Sequence, residues 1–179
     1  MKKNRQKGFS MIEMIIVIAI MGIFTALATI GFGYLKSGNV KAAAKSIDSN
    51  LTKLKLDTMS QDKKPYMCLY KVGSDTYMLC TTDTSITPNA SNGQKIGNGN
   101  VEIYFGNASN NLKEQLKGTT KKYVAFKKGS GAFTEEFDDK KKKTVVQDSD
   151  STITVKTQKG TAYVIHLIKD TGKHYIELK

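Results

Sequence analysis

The chain has 179 residues, 39% of them hydrophobic and 25% charged, a balance that excludes a disordered chain and leaves room for one ordinary domain beyond its N-terminal segment. The net charge is +12; without Lys2, Lys3, Arg5 and Lys7, 24 basic residues face 16 acidic ones, and +8 remains. That excess admits nucleic acid or another anionic surface as a partner, although lysine-rich solvated faces that keep the protein in solution are the simpler account.

The chain opens on Met1-Lys2-Lys3-Asn4-Arg5-Gln6-Lys7, a tail with four positive charges and no negative one. Gly8-Phe9-Ser10-Met11-Ile12-Glu13 follows, and then Met14 to Leu35, 22 residues without a charge. Such a run makes a helix about 33 Å long, enough to cross a bilayer. Positive flanks stay on the cytoplasmic side, so the expected orientation has the N-terminus inside and the remainder outside. Glu13 is the odd residue, since a carboxylate one turn into an apolar helix is costly and marks a candidate functional position. The bland alternative is an uncleaved signal anchor with Glu13 near the interface by chance.

Gly8 to Glu13, behind a basic tail and ahead of an uninterrupted apolar run, resembles the leader of type IV pilins and type II secretion pseudopilins. The resemblance implies cleavage by prepilin peptidase between Gly8 and Phe9, N-methylation of Phe9, and a role for Glu13 in assembly. It further implies the pilin fold, an α+β architecture whose long N-terminal helix has a transmembrane lower half and an upper half packed under an antiparallel β-sheet head. The implied partners are other pilin subunits, the peptidase and the membrane assembly machinery. The implied location is the cytoplasmic membrane before assembly and a surface filament afterwards. Many members carry a proline where this chain has Ile30 between glycines; Gly31 and Gly33 weaken a helix without forcing a kink. The expected organisation is a leader at 1–8, a hydrophobic half-helix at 9–35, an amphipathic half-helix at 36–62 and a β-rich head at 63–179.

Within 36–62, Val40, Ala44, Ile47, Leu51 and Leu54 recur at steps of three and four, the signature of one buried helical stripe. Lys41, Lys45, Asp48, Ser49, Thr52, Lys53 and Lys55 fill the opposite face. Pro65 closes the helix, because the residue before a proline is pushed out of helical conformation. Tyr66 to Val72 and Thr76 to Thr81 then read as a hairpin around the loop Gly73-Ser74-Asp75. That register sets Cys68 opposite Cys80, a candidate disulfide outside the cytoplasm; two reduced, half-buried thiols are the alternative.

Residues 83–100 read as a loop, Val101 to Phe105 as a strand, and Asn110 to Lys117 as a short capped helix. Strands are expected at Lys122 to Lys128 and at Ala132 to Phe137. A charged turn follows at 138–143, and a C-terminal meander at 151–157, 162–168 and 173–178. Phe126-Lys127-Lys128-Gly129, the following strand pair and Asp170-Thr171-Gly172 also resemble the H-type pseudopilins and related minor pilins.

The sequence holds no Walker loop, no nucleophile elbow and no paired metal-ligand motif, so no enzyme, metal or cofactor is expected. His166 and His174 read as surface or edge residues, and Glu135, Glu136, Asp138 and Asp139 as solvated charge. Lys121, Lys122, Lys127, Lys128, Lys140, Lys141, Lys142 and Lys143 are the candidate contacts to an anionic surface. The alternatives to a filament subunit are therefore a competence-type minor pilin that binds DNA through a basic head, and a membrane-anchored adhesin that never polymerises.

Overall fold

The computed structural model describes residues 10–118, 120–138, 141–158 and 160–179, with backbone alone for 27–37 and 111. The element order is α1 (Met11–Ser60), β1 (Tyr66–Val72), β2 (Asp75–Thr81), β3 (Gln94–Gly97), β4 (Glu102–Asn107), β5 (Asn110–Gln115), β6 (Lys122–Ala125), β7 (Glu136–Phe137), β8 (Lys142–Lys143), β9 (Asp150–Lys156), β10 (Ala162–Ile168) and β11 (Lys173–Leu178). The chain divides into two compact units between Leu35 and Lys36.

In the first unit the apolar side chains of α1 stand exposed, with Met11, Ile12 and Phe24 each more than 60% accessible. Among the described residues no helix is long and apolar enough to cross a membrane. The described side chains of the uncharged run end at Ala26, thirteen residues in, about 20 Å of helix against a hydrocarbon core of about 30 Å.

The second unit is an α+β domain built around the rest of α1. Val40, Ala43, Ala44, Ile47, Leu51 and Leu54 are essentially inaccessible, and they share one core with strands of both large sheets. The four-stranded sheet runs β3-β2-β1-β6 and contributes Met67, Leu69, Met78 and Val124. The five-stranded sheet runs β11-β10-β9-β4-β5 and contributes Ile103, Phe105, Ile153, Val155, Ile165 and Leu167. All strand pairs in the two sheets are antiparallel. The single sheet expected from the sequence is thus two sheets on one helix, with a small β7-β8 pair beside them.

Because side chains alternate across a strand, the four-stranded sheet buries a second cluster on its other face. Tyr66, Cys68, Tyr70, Leu79, Ala125 and Phe137 make that cluster. The segment between β2 and β3 is pinned beside it: Tyr66 donates to the Asp83 carbonyl (2.9 Å) and Tyr70 to the Asn89 carbonyl (2.7 Å). Gly93 is required here, since a Cβ at that position would lie 1.9 Å from the Tyr70 hydroxyl oxygen.

Several sequence expectations need correction. The first hairpin turns on two residues, Gly73 and Ser74, and its register pairs Val72 with Asp75 and Cys68 with Leu79. Of residues 110–117, Asn110–Gln115 form strand β5, not a helix; Leu112 and Leu116 are spaced for a helix, but Asn107 Oδ1 accepts from the Asn110 N–H (2.9 Å) and turns the chain back along β4. Gln94–Gly97, expected as loop, adds a strand at the β2 edge. Of the expected strand at 132–137, β7 keeps Glu136–Phe137, and Phe133 makes one isolated bridge to Phe126. Helix α1 ends at Ser60, two residues before the expected Asp62.

Candidate processing and assembly site

The residues that would be cut and methylated, Gly8 and Phe9, lie outside the described residues, as does the basic tail. The first described residue, Ser10, begins a reciprocal cap on α1. Its backbone N–H donates to Glu13 Oε2 (3.0 Å), and the Glu13 N–H donates to Ser10 Oγ (3.2 Å). The Met14 N–H donates to the Ser10 carbonyl (3.3 Å), the first turn of the helix. This is a capping box, in which a serine and a glutamate three residues later satisfy each other's free amides. The glutamate also sits at the positive end of the helix dipole. The sequence carries the signal in Ser10-Met11-Ile12-Glu13 directly ahead of an apolar run; attention to the charge of Glu13 obscures Ser10.

The cap bears on chemistry at the new N-terminus. A cut between Gly8 and Phe9 would leave the Phe9–Ser10 amide intact, and with it the N–H that donates to Glu13. Glu13 lies four residues along the chain from Phe9, whose amine such a cut would free. An unpaired charge taken into an apolar environment costs several kcal/mol.

The cysteines do not form a site. Cys68 and Cys80 are both free, the first buried and the second exposed. Since Cys80 pairs with Met67, the two sulfurs belong to opposite faces of the sheet. The candidate disulfide fails because one residue of register flips every side chain beyond the turn. Burial pushes the Cys68 thiol up to about 12 and the Cys80 thiol up to about 11. Cys80 is accessible at the surface, yet it lies low in a groove beside Lys53, Leu54 and Asp57, which accounts for its desolvation.

His166 is not at the surface. It is buried on β10, with Nε2 3.0 Å from Glu177 and Nδ1 3.4 Å from Asp150, and its ring stacks on Tyr175 with centroids 4.7 Å apart. His174 lies on β11 and bonds Thr52 of α1 (3.0 Å).

The expected lysine rim is divided. Lys122 pairs with Glu114 (2.5 Å), Lys128 with Asp62 (2.9 Å) and Lys142 with Asp138 (3.2 Å). Lys142 also lies over the rings of Tyr123 and Phe137. Lys121, Lys127, Lys141 and Lys143 are exposed, and Lys140 lies outside the described residues. Glu135, expected as free solvated charge, forms an ion pair with Lys169.

Residues 3–29 match the model of the prokaryotic N-terminal methylation motif, the class III signal that leads type IV pilins and pseudopilins. The motif implies a membrane-anchored precursor, processing by prepilin peptidase, and assembly with other pilins. No curated protein and no solved structure matches the chain.

Proposed function

We propose that the chain is a structural subunit of a type IV pilus or type II secretion-like filament, a minor pilin or pseudopilin of pilin fold, with no reaction of its own. The observation that carries this reading is the methylation motif at residues 3–29 together with the held carboxylate of Glu13. In the membrane-anchored precursor the uncharged run is surrounded by lipid. In a filament the same run packs against its copies or relatives, and each buried N-terminal ammonium meets a Glu13 carboxylate of its own or a neighbouring chain. The α+β domain beyond Leu35 needs no lipid, since the stripe of α1 in that unit is already covered by its own two sheets.

Shearing surface filaments from cells and probing the sheared fraction for this protein tests the proposal. Its presence there, lost with Glu13→Ala while the processed protein persists in membranes, is the expected result. Protein retained wholly in the membrane fraction, with none in sheared filaments, points to the anchored adhesin that never polymerises and contradicts the proposal.

A further inference from the structure

The second unit carries an open cleft of about 730 Å³ that no part of the filament reading uses. Four lysines line it from two separate segments: Lys63 and Lys64 from the stretch after α1, and Lys127 and Lys128 from the turn after β6. The hydroxyl-bearing Thr82, Thr84 and Thr134 join them. Bringing four ammonium groups onto one concavity is unfavourable unless carboxylates or a bound anion offset it. The carboxylates nearby are already engaged. Asp138 holds Lys142 and Glu135 holds Lys169, while Asp83, which accepts from the Ser85 hydroxyl and amide, keeps its charge and offsets Lys63 in part without an ion pair. Asp62 takes Lys128 from an exposed position, and Glu136 is the one further acid in the lining. Among the described residues Lys63, Lys64 and Lys127 form no ion pair.

The chemistry of the donors narrows the ligand. The one arginine of the chain is Arg5, so the cleft has no planar fork to select a carboxylate. Lysines act as point charges on phosphate, and a concavity of this size accepts more than one anionic group. Phe126 and Phe137 line the floor but are buried, so no ring is offered for a base to stack on. We propose that this cleft binds a phosphodiester chain through its backbone charges, the chemistry shared by nucleic acids and polyol-phosphate polymers. The site stands independently of the filament reading.

Full-length protein in neutral detergent is titrated with a short oligothymidylate, with poly(glycerol phosphate) and with polyglutamate of matched length. Both phosphodiester chains, or one of them, should bind at about 50 mM salt, with a log–log salt slope near −3 for four phosphates contacted as a flexible single strand. Replacing Lys63, Lys64, Lys127 and Lys128 together by glutamine should weaken binding about tenfold or more and flatten the slope. Replacing the exposed Lys41, Lys45, Lys113 and Lys173 removes the same net charge and should leave it nearly unchanged; thermal unfolding checks that both variants fold. Which of the two phosphodiester chains binds identifies the source. Equal binding of polyglutamate, equal weakening by the two quadruple variants, or no binding at low salt overturns the proposal.

Discussion

Glu13 is the residue on which the functional account turns, and its surroundings are simple. One carboxylate oxygen accepts from the Ser10 amide, a group that a cut between Gly8 and Phe9 would leave in place. Glu13→Ala and Glu13→Gln should both be cleaved and inserted normally, because neither change touches the Gly8–Phe9 bond. Both should be depleted from filaments, since losing one partner of a buried charge pair costs about 3–5 kcal/mol. Ser10→Ala should be milder, near the roughly 1 kcal/mol of a lost cap. Quantifying each variant in membrane and sheared fractions checks the order; glutamine incorporated as well as wild type would show that charge is not what matters.

The cysteines give a second expectation. With no bridge, both should react with a thiol reagent after unfolding without reductant, and under native conditions Cys80 should react well before the buried Cys68. The raised Cys68 thiol also sets a pH dependence. Its folded value, about 12, lies above the ordinary 9.0, so its contribution is complete below about pH 9 and is lost as pH climbs toward 12. Burial raises Tyr66 and Tyr123 as well, in the same sense. Denaturant unfolding from pH 8 upward should show stability falling above pH 9, and falling less steeply in Cys68→Ala.

At the scale of elements, what the sequence revealed depended on periodicity. The stripe Val40, Ala44, Ile47, Leu51 and Leu54 is legible because it repeats at helical spacing over four turns, and every member is buried. Strands β1, β10 and β11 are legible because β-branched and aromatic residues run between glycine turns. The first hairpin's register is not, since Gly73-Ser74-Asp75 is compatible with loops of two or three residues. What decides it is Gly73 at φ +62° in a two-residue turn, for which Gly-Ser is itself a sequence signal that the three-residue reading passed over. Residues 110–115 were illegible for another reason: helix-spaced leucines are overridden by pairing with β4, a contact supplied by the rest of the fold. Two substitutions test these elements. Leu51→Ala should destabilise the second unit by about 2–5 kcal/mol, because it empties a fully buried site in the core shared by both sheets. Gly73→Ala should cost about 1–2 kcal/mol by forcing a Cβ into left-handed backbone. Chemical unfolding reads both, and a Leu51→Ala cost within experimental error of zero would put the stripe outside the core.

On the scale of the whole molecule, the chain joins two kinds of sequence with different physical demands. The domain beyond Leu35 covers the apolar stripe of its helix with its own sheets, and its two-sheet arrangement followed from pairings no local pattern encodes. The N-terminal part does the reverse, exposing Met11 to Phe24 to whatever surrounds it. Its leader motif was legible because it is a compact run of residue types at residues 3–29. The partner proposed for the capped carboxylate was not, because in that proposal the ammonium exists only once the chain is cut. The most direct test is therefore the chemical state of the mature N-terminus. Mass spectrometry of the N-terminal peptide from surface-exposed protein should find a chain beginning at Phe9 with a methylated amine; a surface protein that still carries Met1 to Gly8 would contradict the account.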